Sequence, residues 1–153
     1  MNPRFRCGVA LVLLVPLWGC VPLTFSREAA IDFEAYPHVA VQVSLHGKQA
    51  SYIDVNPTDY LASQLRAGSG FETVSEGTNA AADLTLDVHV TVTFEGSWQF
   101  LGAARFTAVN RSGTLIDESE IRDRTYFIWE GSTEATEDVL DEVALHYLDP
   151  YRL

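Results

Sequence analysis

Beyond residue 20 the chain has no cysteine: Cys7 and Cys20 both lie in the first 20 of its 153 residues. A domain built from the remainder can use no disulfide, no thiolate nucleophile and no cysteine-bound zinc, so its stability must come from its core. Basic residues are also scarce, ten Lys and Arg against 21 Asp and Glu, for a formal charge of −11. Such a surface repels phosphate polymers and anionic headgroups, and nucleic acid is not an expected partner. Several chemical signatures are missing too: there is no Gly-x-Ser-x-Gly elbow, no phosphate-cradling glycine loop, no calcium-binding Asp-x-Asp-x-Asp-Gly loop and no His-x-x-Glu-His spacing. No repeat of solenoid length is present.

What is there begins at the N-terminus. Arg4 and Arg6 precede an apolar run from Gly8 to Trp18, interrupted only by Pro16, that ends in Leu17-Trp18-Gly19-Cys20. A run of roughly 11 residues has the length of an export-signal core and is too short to span a bilayer. The junction resembles the bacterial lipoprotein signal, with Leu17 and Gly19 at the third and first positions before an invariant cysteine, here Cys20. The resemblance implies cleavage between Gly19 and Cys20 and lipidation of Cys20, which would tie the mature chain to a membrane by acyl chains rather than by a basic patch. An uncleaved signal anchor is the alternative, since no charge interrupts the stretch between Arg6 and Arg27. Gly8, Pro16, Gly19 and Pro22 make that stretch a poor continuous helix. Either way the rest of the chain is exported. Loss of residues 1–19 removes two of the ten basic residues, Arg4 and Arg6, and leaves a formal charge of −13. Because Val21 is not aspartate, the resemblance further implies sorting to the outer membrane, facing the periplasm.

Residues 20–37 read as the lipidated N-terminus and a tether. At ~3.3 Å per residue the tether would reach roughly 50 Å, less if Ile31, Phe33 and Tyr36 dock on the domain. Residues 38–153 read as a single domain. Val39, Val41, Val43 and Leu45 alternate with polar and small residues as a first strand. Asn56-Pro57-Thr58-Asp59 supplies a cap, a proline at the first helical position and an acidic first turn for a helix stopped by Gly68. A short strand over 71–76 follows. The clearest signal is Leu84, Leu86, Val88, Val90, Val92 and Phe94 alternating with polar residues, a strand with one buried and one wet face. Gly96-Ser97 marks a turn, Phe100 to Val109 returns, and Asn110-Arg111-Ser112-Gly113 is a hairpin turn. A further strand runs from Leu115 to Ile121, and Tyr126 to Trp129 read as its continuation beyond a charged interruption. Ser132 or Thr133 then caps a helix whose inner side carries Ala135, Val139, Leu140, Val143, Ala144 and Tyr147.

The order β-α-β-β-β-β-α predicts an α+β two-layer sandwich: a mainly antiparallel sheet of four to five strands with two helices on one face. This plan, and the hairpin Phe106-Thr107-Ala108-Val109-Asn110-Arg111-Ser112-Gly113-Thr114-Leu115, is similar to that of small bacterial envelope lipoproteins: the lipopolysaccharide-assembly lipoprotein LptE, the activators of penicillin-binding proteins, the curli secretion lipoprotein and the N-terminal domain of TolB. The resemblance implies action by binding partners and carries over no catalytic residues.

Candidate sites inside the domain are few. Asp87 and His89 lie on one strand face about 7 Å apart, a spacing from which a metal recruits both. Two such residues on a solvated face read as ordinary polar residues, and His38, His46 and His146 are dispersed, so neither a metal site nor a cofactor is assigned. Asp117, Glu118 and Glu120 read as a solvated charge run. Trp98 and Trp129 are candidates for a sugar-stacking platform or for closing the core. Partner binding is placed on the wet face at Thr85, His89, Thr91 and Thr93, whose β-propensity and hydrogen-bonding groups suit docking without a large apolar patch.

Two functions from different classes follow. The first is a non-enzymatic, membrane-anchored accessory module for an envelope protein complex in transport, secretion or cell-wall assembly. The alternative is a carbohydrate- or lipid-binding module, or an envelope hydrolase, that uses Trp98, Trp129, Asp87 and His89. The anchor is testable in either case: Cys20→Ala is expected to leave the precursor unprocessed and without acyl label, and persistent labelling of the mutant would contradict the lipid anchor.

Overall fold

Alternating branched and polar residues extend the chain into β1 (His38–His46), and a helix-start signal then turns it into α1 (Pro57–Gly68). β2 (Thr73–Glu76), β3 (Leu84–Glu95), β4 (Gln99–Asn110), β5 (Leu115–Thr125) and α2 (Ser132–His146) follow. The computed structural model describes residues 30–95, 99–125 and 131–148. Gly19, Cys20, Trp98 and the segment from Tyr126 to Trp129 lie outside the described residues.

The five strands form one sheet in the order β2-β1-β3-β4-β5. β1 pairs parallel with both β2 and β3, while β3–β4 and β4–β5 are antiparallel, so the sheet is mixed. The parallel half has a topological cause. α1 carries the chain from β1 to a parallel β2, as a crossover must. The connection 77–83 then passes across β1 and delivers β3 to its other side. The Gly77 amide donates to the Val41 carbonyl and the Asp83 amide to the His38 carbonyl at the two ends of that passage. Asn79 donates to Ser75, the register partner of Ala40, which places the connection on Ala40's side of the sheet and accounts for the burial of that alanine.

Both helices lie on the opposite side, and a single core joins them to the strands. Val39 and Val41 of β1, Leu84 to Val92 at alternate positions of β3, and Ala104, Phe106 and Ala108 of β4 pack with Leu61 and Leu65 of α1 and with Ala135, Val139, Leu140, Val143 and Tyr147 of α2. The core also takes in Ile31, and Phe33 sets its ring edge-on against Phe71 with centroids 5.0 Å apart. Residues from Ile31 onward are thus packed on the domain ahead of β1. α2 approaches β4 closely because Gly102 has no side chain: a Cβ there would lie 2.6 Å from the Ala135 carbonyl oxygen. No helix among the described residues is long and apolar enough to cross a membrane.

The caps differ between the helices. Asn56 accepts from the Thr58 and Asp59 amides ahead of Pro57, as the sequence predicts. α2 instead starts after Gly131 without a side-chain cap. Ser132 is buried as its first residue, and Thr133 is engaged elsewhere, accepting from the Asp54 amide at 2.9 Å. At the β4–β5 hairpin Asn110 Oδ1 accepts from the Ser112 and Thr114 amides, and Gly113 takes the positive φ of 82° that the turn demands.

Val90 is fully buried at the centre of this core, and Thr91 faces away from it. Val90→Asp is expected to remove several kcal/mol from a total stability of ~5–15 kcal/mol, because it buries an unpaired carboxylate. Thr91→Lys should melt close to wild type. Equal melting temperatures for the two variants would contradict the alternation.

Candidate docking face

With both helices on one side, the other side of the sheet carries no helix. Thr85, Asp87, His89, Thr91 and Thr93 project from β3 on this face, with His89 and Thr93 exposed and Thr85, Asp87 and Thr91 half-buried. The four residues Thr85, His89, Thr91 and Thr93 therefore share one surface, with cross-strand neighbours that the sequence does not place beside them. β1 contributes Ser44 and His46, because the parallel register sets Ser44 beside His89 and His46 beside Thr91. β4 and β5 contribute Arg105, Glu120 and Arg122, since Arg105 pairs with Glu120 and Ala103 with Arg122.

His89, Thr91, Ala103, Arg105 and Glu120 line an open depression of about 340 Å³, with the small Ala103 side chain leaving the space. Glu120 accepts from Arg122 at 2.7 Å and from Arg105 at 3.4 Å. Its carboxyl is held below the usual range first by the Arg122 hydrogen bond and charge, then by Arg105. These exposed ion pairs add little stability and serve chiefly to fix where charge stands on the face. Next to them, Ser44, His46 and His89 are in mutual contact, and Asp87 Oδ2 is 3.6 Å from His89 Nε2. Among the described residues no group of three or more His, Cys, Asp or Glu is placed to hold a metal ion.

Two acidic and basic residues stand elsewhere than the sequence suggests. Asp117 does not belong to a solvated charge run: it is the register partner of the buried Ala108 and faces the helices. One of its carboxylate oxygens, Oδ2, accepts from the Tyr147 hydroxyl and contacts His146 Nε2, both at 2.8 Å. Burial, followed by the charge of Asp117 and the hydrogen bond to it, pushes the Tyr147 hydroxyl far above its ordinary pKa. This cluster pins the end of α2 to β5. His146, dispersed in sequence, belongs to it. A second concavity, of about 330 Å³, lies between the helices on their outer side, lined by Gln64, Ala67, Ala144, Leu145 and Leu148 among others. Trp98 and Trp129, the candidate sugar platform, lie outside the described residues, as do Gly19 and Cys20.

No family model matches the chain, and no curated protein matches it. Solved structures do. PelC from Paraburkholderia phytofirmans, crystallised as a dodecamer, superposes with a TM-score of 0.57 at 16% identity, over 75% of this chain and 91% of that one. The fold resembles that of PelC. A point variant of the PelC dodecamer gives 0.58 at 15% identity over the same shares of the two chains. A minor lipoprotein from Acinetobacter baumannii reaches only 0.36 at 15% identity, over 72% of this chain and 87% of that one, too distant to bear on the architecture. The likeness to PelC concerns the fold alone.

Proposed function

We propose that the protein is a lipid-anchored, non-enzymatic accessory module of the cell envelope that holds a protein partner against the helix-free face of its sheet. The observation that carries this reading is the face itself. Strands of 12, 12 and 11 residues, β3, β4 and β5, stand side by side with both helices on their other side. The face presents hydroxyl, imidazole, carboxylate and guanidinium groups around a shallow depression, a surface suited to polar docking and free of a large apolar patch.

The anchor supplies the other half of the proposal. Lipidation at Cys20 after cleavage behind Gly19 would place the domain at a membrane surface, and the residue after the cysteine, Val21, favours the outer membrane. PelC assembles as a dodecamer, so a module of this fold is compatible with work inside a larger assembly. Thr85, His89, Thr91 and Thr93 are the residues assigned to the partner.

Thr91 sits at the rim of the depression, so a long charged side chain there obstructs docking while leaving the core untouched. In-cell crosslinking of the native protein is expected to lose its partner with Thr91→Arg and to retain it with Glu137→Arg on α2. A Thr91→Arg variant that folds and captures the same partner at wild-type yield would contradict docking on this face.

A further inference from the structure

The parallel pairing of β1 with β3 brings His89 against Ser44 and His46, which precede it in sequence by more than 40 residues. His46 Nε2 and His89 Nδ1 lie 3.2 Å from each other. Ser44 Oγ is 2.6 Å from that His89 nitrogen and 3.2 Å from that His46 nitrogen, so three heteroatoms close a small triangle on the helix-free face.

The dimensions of this triangle are those of a coordination face. Two imidazole nitrogens bound to one tetrahedral zinc at 2.0–2.1 Å are separated by about 3.3–3.4 Å, as the tetrahedral angle requires. The two rings already stand at nearly that separation. A contact of this length between two imidazole nitrogens also requires at least one of them to present a bare lone pair, since two N–H groups would repel.

The surroundings favour the same nitrogen. On the far side of His89, Asp87 Oδ2 is 3.6 Å from Nε2. At this separation, beyond a direct hydrogen bond, the carboxylate charge favours the tautomer that carries its proton on Nε2, which turns the Nδ1 lone pair toward the triangle. An outer carboxylate on the second ring nitrogen is the usual companion of a metal-bound histidine, because it orients the ring and raises its basicity. The strongly acidic chain, with a formal charge of −11, further raises the local concentration of cations.

We propose that His46 Nε2 and His89 Nδ1 chelate a divalent cation of the zinc class, with the Ser44 hydroxyl at the third corner of the face and Asp87 as the orienting carboxylate. With two histidines as its strong protein ligands, the site is open: water fills the remaining positions in the isolated protein, and the neighbouring depression gives a further ligand room to enter. Metal binding of this kind does not depend on the docking of a partner and is measured without one.

Titration of the purified mature protein with Zn²⁺ in excess Mg²⁺, which removes diffuse binding to acidic residues, is expected to show one equivalent bound. His46→Gln and His89→Gln should each weaken binding at least about tenfold, and Asp87→Asn by about tenfold. His38→Gln, outside the triangle, should leave the affinity unchanged. In the wild-type protein, where no variant need fold, the ring nitrogen resonances of His46 and His89 should shift on zinc addition while those of His38 and His146 stay in place. Absence of magnesium-resistant zinc binding, or ring resonances of His46 and His89 that do not respond to zinc, overturns the proposal.

Discussion

Both helices are consumed in covering one side of the sheet, and the rest of the molecule follows from that. The side chains of Leu84, Leu86, Val88, Val90 and Val92 make a continuous apolar row along β3, each essentially removed from solvent. α1 reaches the sheet over β1 and β2, and α2 over β3, β4 and β5, with Gly102 permitting the close approach. Moving either helix to the other face would expose part of this row, at a cost of order 1.5–3 kcal/mol for each large side chain returned to water. The helix-free face is therefore a consequence of core burial.

The edges of the sheet complement that face. β2, one edge, is only four residues long, and β5, the other, is charged along its length. A bulge between Ala108 and Val109 also interrupts its pairing with β4, and it points a carboxylate, Asp117, inward. Short edge strands, bulges and inward charges are the devices by which sheets resist pairing with another chain. Strand addition by another chain is thereby disfavoured, which supports the helix-free face as the docking surface proposed above. The Asp117 cluster serves two ends, since the carboxylate that guards the edge also receives the Tyr147 hydroxyl and holds the end of α2.

The features legible in the sequence are those set by neighbours along the chain. The alternation of β3, the Asn56-Pro57 helix start, the Asn110 to Gly113 hairpin and the inner stripe of α2 all depend on local periodicity or on one turn. What was not legible depends on pairing between distant strands. Nothing near Ser44 or His46 announces that β1 lies parallel to β3, so the mixed sheet and the contact with His89 were out of reach. Asp117 shows how a single residue changes the outcome. The bulge takes up Ile116, so that Leu115 faces outward while Asp117, Ser119 and Ile121 face the helices. Were Ile116 paired in the ladder opposite Ala108 instead of bulged, Asp117 would stand opposite Thr107 and point to water, as its acidic neighbours suggest.

Under the proposed function the helix-free face is covered in the cell while the helix layer is not. Carboxylate footprinting compares the intact envelope with the purified protein, residue by residue. Asp87, Glu118 and Glu120 report on the face, Glu137 and Glu142 on the outer side of α2. The first three are expected to be protected from labelling in the envelope while the two glutamates of α2 label as they do in solution. Equal labelling of the face in both settings, or protection confined to α2, would contradict the proposed function.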